Sequence, residues 1–104
     1  MTVSIPNNVV TVLLAADTSK TPAKTLWIQN FSLTVGFNLT CVPNASQTAE
    51  TVTVGEDFFL APGQTIAGVA VPSTLVTDET RLVAAKWLAR QASGGAVNLN
   101  VGRF

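Results

Sequence analysis

Histidine and tyrosine are absent from the chain, and cysteine occurs once, as Cys41. Without imidazole there is no ready general base at neutral pH and the commonest metal ligand is missing. Neither a Ser-His-Asp nor a Cys-His arrangement can be assembled. One cysteine with no histidine makes no zinc or iron site of ordinary kind. Two acidic pairs remain, Glu56-Asp57 and Asp78-Glu79. Paired carboxylates can share acid/base work on a sugar or bind calcium through oxygen. Successive side chains on a strand point to opposite faces, however, so each pair converges only if it sits in a loop. The plainer reading is solvated turn residues. Gly94-Gly95 lacks the Gly-rich spacing and following Lys-Ser/Thr of a phosphate cradle, so it reads as a turn. The expectation is a protein that is not an enzyme, with no cofactor and no metal.

Charge excludes further classes. Six Lys+Arg balance six Asp+Glu, for a formal net charge of zero. Lys20, Lys24, Arg81, Lys86, Arg90 and Arg103 are scattered, with no basic run to neutralise phosphates, so nucleic-acid binding is not expected. Charged residues make up only 12% of the chain, where about 25% is usual. Two readings fit that shortage: a surface partly covered by neighbouring subunits, since interface centres are depleted in charge, or a neutral β surface rich in Thr and Asn. The start, from Met1 to Pro6, has neither the basic region nor the apolar stretch of a signal peptide. No window approaches the run of about 18 apolar residues that a membrane helix needs. Three Asn-x-Ser/Thr triplets, at Asn30, Asn38 and Asn44, are simplest as by-products of Asn/Ser/Thr-rich strands and turns. Synthesis and assembly in a cytoplasm are expected.

The elements that would position these residues alternate with period two between turn signals. In Thr34 to Cys41, Val35, Phe37, Leu39 and Cys41 share one face, which makes Cys41 a buried structural thiol. Further strands are expected over Val9–Leu14, Thr25–Gln29, Thr51–Val54, Phe58–Leu60, Thr65–Val71 and Ala96–Phe104. Ala61-Pro62-Gly63-Gln64 is a strong turn, because Pro fixes φ and Gly accepts positive φ. Thr77 to Gln91 is ambiguous. Thr77-Asp78-Glu79 resembles a helix start, but the apolar residues scatter round a helical wheel, whereas Val83, Ala85, Trp87 and Ala89 line one face of a strand. The strand is favoured, with Ser93-Gly94-Gly95 as a hairpin turn into the last strand. The expected fold is a single-domain all-β antiparallel β-sandwich or jelly-roll-like barrel of about seven strands over 9–104. Asp17–Lys24 and Pro43–Glu50 are expected to be exposed loops, and Met1–Asn8 an N-terminal arm.

Of the aromatic residues, Phe37 and one of Phe58/Phe59 should be core, which turns the other outward as a contact candidate. Trp27 and Trp87 fit either core or interface, and tryptophan is over-represented at interface hot spots. The interface candidates are therefore Trp27, Phe59 and Trp87, together with Ile5 in the arm. A carbohydrate-stacking platform is the other use for such tryptophans.

Leu26-Trp27-Ile28-Gln29-Asn30-Phe31-Ser32, the following strand with Gly36, and Phe58-Phe59-Leu60-Ala61-Pro62-Gly63-Gln64-Thr65-Ile66 resemble the small β-structured virion proteins of tailed bacteriophages. In that family style an I-x-N-x-S strand end and a later L-x-P-G-x-x-I corner frame the sandwich, and Arg81 to Phe104 is similar to the usual closing strands. A free-standing chain of this size is most similar to the head decoration, or cement, proteins. The resemblance implies a virion protein on the capsid surface, often a homotrimer, that clamps adjacent subunits of the major capsid protein. A tail or fibre receptor-binding module and a carbohydrate-binding sandwich are the alternatives.

Overall fold

The computed structural model describes residues 1–15, 17, 22, 25–42, 58–71, 73–76 and 81–103. They form ten strands: β1 (Thr2–Ile5), β2 (Thr11–Leu14), β3 (Thr25–Asn30), β4 (Phe37–Val42), β5 (Phe58–Leu60), β6 (Thr65–Ala70), β7 (Ser73–Val76), β8 (Arg81–Ala84), β9 (Lys86–Arg90) and β10 (Val97–Arg103). Eight of them make two four-stranded antiparallel sheets, ordered β1-β10-β3-β6 and β2-β9-β4-β5. The remaining pair, β7-β8, is a two-stranded ribbon.

Setting that ribbon aside, the first strand pairs with the last, the second with the next to last, and so inward to β4 with β5. This nested pairing is the double-sheet jelly roll. The expected all-β sandwich is therefore the fold, with eight strands in its sheets where about seven were expected. Because hydrophobic periodicity is a local signal, it locates strands without saying that partners lie far apart in sequence.

The core lies between the sheets. Ile5, Leu26, Ile28, Leu99 and Val101 from one side meet Leu13, Leu14, Phe37, Leu39, Leu60, Trp87 and Ala89 from the other, all buried. β3 shows the alternation plainly: Leu26, Ile28 and Asn30 are buried, while Thr25, Trp27 and Gln29 are half-buried on the outside.

Several expectations are corrected by this topology. Over Thr77–Gln91 the favoured strand forms among the described residues, with no helix, but as two strands, β8 and β9, separated only by the buried Ala85. There the chain leaves the ribbon and enters a sheet. Arg103 holds this corner, its guanidinium donating to the Ala85 carbonyl at 3.0 Å and to the Ala15 carbonyl. Ser93-Gly94-Gly95 is not a hairpin turn, because β9 pairs with β2 and β4 whereas β10 pairs with β1 and β3. The connection crosses from one sheet to the other. Met1–Asn8 is not a free arm, since Thr2–Ile5 is laid along β10 as a sheet edge. The expected strand at Thr51–Val54 and the loop at Pro43–Glu50 lie outside the described residues.

Candidate contact site at the loop end

Four connections, 6–10, 31–36, 61–64 and 91–96, gather at one end of the sandwich. Strand register puts them there: Ile5 faces Val97, Asn30 faces Leu99 and Gln29 faces Thr65, while in the other sheet Phe37 faces Leu60 and Asn38 faces Arg90.

Two buried carboxamides organise this end. The Asn30 Nδ2 donates to the Val35 and Ala61 carbonyls at 2.8 and 3.1 Å, and its Oδ1 accepts from the Ser32 N–H at 3.0 Å. The Ser32 Oγ then accepts from Val35 N–H at 2.9 Å, and the Ser32 carbonyl from Gly63 N–H at 2.7 Å. This local bonding delays β4 to Phe37, although the alternation in sequence starts at Thr34. At the 61–64 corner, Pro62 precedes Gly63 at φ 72°, and the Gln64 N–H returns to the Ala61 carbonyl at 3.1 Å. That is the turn the Pro-Gly pair demands. Gln91 does the matching work on the other two connections. Its Nε2 donates to the Ile5 and Gly95 carbonyls at 2.9 and 2.7 Å, and its Oε1 accepts from Ser93 N–H at 2.7 Å. Asn7 and Asn8 complete that side: Asn7 Oδ1 accepts from Gly94 N–H at 2.9 Å, and Asn8, at φ 58°, accepts from the Arg90 guanidinium.

The half tied by Asn30 exposes apolar side chains. Leu33 is 86% exposed and Phe31 56%, and on the edge strand β5 Phe59 is 55% exposed on the outward face, whereas the half-exposed Phe58 lies on the inward one. The Phe59 ring lies over Gly36, where a Cβ would fall 2.3 Å from its Cζ. Large exposed apolar groups held on fixed backbone mark contact surfaces in soluble proteins.

The expected interface residues separate. Phe59 belongs to this apolar group. Trp27 is half-buried on the outer face of the β1-β10-β3-β6 sheet, its indole lying against Gly102. Trp87 and Ile5 are corrected to core, at 9% and 0% exposed. They face inward because each sits in register with other inward residues, Trp87 opposite Cys41 and Ile5 opposite Val97. The Trp87 Nε1 has no acceptor among the described residues. Neither Phe58 nor Phe59 enters the core as one of them was expected to; Leu60 takes that place. Phe31 and Leu33 were not singled out from sequence, although apolar residues between polar neighbours, just beyond a strand end, were the available signal.

Cys41 is a free, partly buried thiol, and burial pushes its pKa above the ordinary 9.0. Both acidic pairs lie outside the described residues. Among the described residues, no three His, Cys, Asp or Glu side chains come together, and no helix is long and apolar enough to cross a membrane. Compared with family models, curated proteins and solved structures, the chain gives no match.

Proposed function

We propose that the chain is a non-enzymatic contact module, a phage capsid decoration protein that docks on the assembled head through its apolar loop end. The observation that carries this reading is the group Phe31, Leu33 and Phe59, exposed on backbone that Asn30, Ser32 and Gln64 hold in place. A loop that is already ordered loses little conformational freedom on binding, so its exposed apolar area contributes to affinity with a small opposing entropy. Binding to the assembled shell and not to free capsid subunits stabilises the shell by mass action. The resemblance of the Leu26–Ser32 and Phe58–Ile66 segments to small virion proteins supplies the major capsid protein as partner, a homotrimer as the bound form and the virion surface as the location. The lack of excess charge also favours association over repulsion between copies.

The test is co-sedimentation of the purified chain with heads that lack it, followed by mass spectrometry of intact particles. Saturable binding in many copies per head, weakened by Leu33→Asp, is the expected result. Particles that neither contain nor bind the chain overturn the reading. Light scattering that finds a monomer both free at micromolar concentration and on release from heads overturns the trimer.

A further inference from the structure

The outer face of the β1-β10-β3-β6 sheet is a second surface, distinct from the loop end. Its outward positions include Thr2 and Ser4 on β1, Asn98, Asn100 and Gly102 on β10, Thr25, Trp27 and Gln29 on β3, and Thr65 on β6. No charged side chain stands among them. The Met1 ammonium reaches the margin, donating to the Val101 carbonyl and to the Asn100 Oδ1 at 2.9 and 3.3 Å. Register strings Thr2, Asn100, Gln29 and Thr65 into one row across all four strands, and sets Gly102 opposite Trp27 in the adjacent row.

The indole lies flat in this setting. A Cβ on Gly102 would fall 2.5 Å from Trp27 Nε1 and 2.6 Å from Cε2, so the ring covers the glycine backbone. On its other side the sheet bulges between Leu26 and Ile28, leaving the small, exposed Ala67 and Gly68 opposite Trp27, with Gly68 at φ 74°. The residues opposite Trp27 on the two neighbouring strands are therefore all small, Gly102 on one and Ala67 and Gly68 on the other. The side-chain amides of Gln29 and Asn98 make no hydrogen bond to other described residues.

We infer that this face binds neutral carbohydrate, with a pyranose ring stacked on Trp27 and its hydroxyls bonded to the Gln29 carboxamide and to the Asn100 Nδ2. An indole offers a flat apolar platform for the C–H face of a sugar. Carboxamides and hydroxyls both donate and accept, as sugar hydroxyls do. A few polar groups beside an apolar surface fix a ligand's orientation. Nucleic acids and acidic glycans need cationic side chains, and none stands among the described outward positions of this face. A protein interface would present more apolar area at its centre than one indole among amides.

Titration of the isotope-labelled full chain with chitohexaose, cellohexaose, maltohexaose and mannohexaose, beside sialyllactose and a sulfated oligosaccharide, tests this by NMR. At least one neutral oligosaccharide should bind saturably and shift the Trp27 indole N–H, leaving that of the buried Trp87 in place. Trp27→Ala should weaken binding by at least about tenfold, equivalent to about 1.4 kcal/mol. If that variant does not fold, the paired Gln29→Ala and Asn100→Ala changes give the same reading. No shift with any neutral sugar, binding that survives these substitutions, or a preference for the acidic sugars each overturns the inference. Co-sedimentation with heads is a separate measurement, so either surface can fail while the other stands.

Discussion

At the loop end, connections 31–36 and 61–64 are tied by Asn30, and connections 6–10 and 91–96 by Gln91. The two carboxamides are used alike, each buried, each donating to two carbonyls and accepting from one N–H two residues on. Their surroundings differ. The connections tied by Asn30 expose Phe31 and Leu33 beside Phe59, whereas those tied by Gln91 expose Pro6, Asn7, Asn8 and Ser93-Gly94-Gly95 with Val9 as their one large apolar side chain. The difference shows that loop shape here comes from buried amides and owes little to the exposed side chains. Phe31 and Leu33 are not needed to hold the loop closed, which leaves them available for contact.

Removing the amides gives the largest expected effect. Asn30→Ala strands two carbonyls and an N–H, and should cost about 2–4 kcal/mol in urea denaturation. Gln91→Ala should cost a similar amount, about 2–4 kcal/mol. Binding to heads separates them, because only Asn30→Ala disturbs the apolar half. A Gln91→Ala variant as stable as the parent would break the equivalence of the two ties.

Glycine substitutions come next and sharpen the contrast by mechanism. Gly36→Ala places a methyl under the Phe59 ring, so the ring must turn away, at about 1 kcal/mol or somewhat more. Gly94→Ala meets no atom within 4 Å but holds φ at 92°, and should cost about 1–2 kcal/mol through backbone strain alone. The expected signature is that Gly36→Ala weakens head binding while Gly94→Ala leaves it intact. Leu33→Asp should change stability by less than about 0.5 kcal/mol, yet lower head binding by tenfold or more. A matching loss of folding stability would mean that Leu33 supports the loop after all.

The smallest effect lies outside both halves and serves as their control. The Cys41 thiol titrates above 9.0 in the folded chain, so the unfolded chain ionises first as pH rises. Its contribution is therefore fully present below that value and declines as pH climbs through and beyond 9.0. Denaturation midpoints at pH 7 and pH 10 should differ slightly more for the parent than for Cys41→Val.

Much of this fold was legible because strand signals are local. β3, β5, β6 and β10 lie within a residue or so of the expected runs, and the Pro62-Gly63 corner turns where its dihedral preferences require. β1 was read as an arm because four residues ahead of a proline carry too little pattern to distinguish an edge strand from an extension. Pairing was the harder part. The nested order places β1 beside β10, and nothing near Ser93 records that the chain must change sheets there. Facing failed for Phe58 at the edge: it lies opposite the buried Leu39, on the inward side of β5, yet stays about half exposed. The apolar site was the least legible. Asn30 reads in sequence as a triplet residue and as the Asn of an I-x-N-x-S strand end, and Phe31 as one aromatic among seven; that Asn30 ties two loops by bonding the Val35 and Ala61 carbonyls is something no spacing rule reports.

The tie between Met1 and Val101, with each backbone bonding the other, leaves the start of the chain beside its last strand. A short linker between the two ends could thus make a circular permutant, with new termini opened at Gly94 or at Leu33. The same register puts Met1 and Arg103 at the opposite pole from the loop end. A cargo could be attached there and still leave Phe31, Leu33 and Phe59 uncovered.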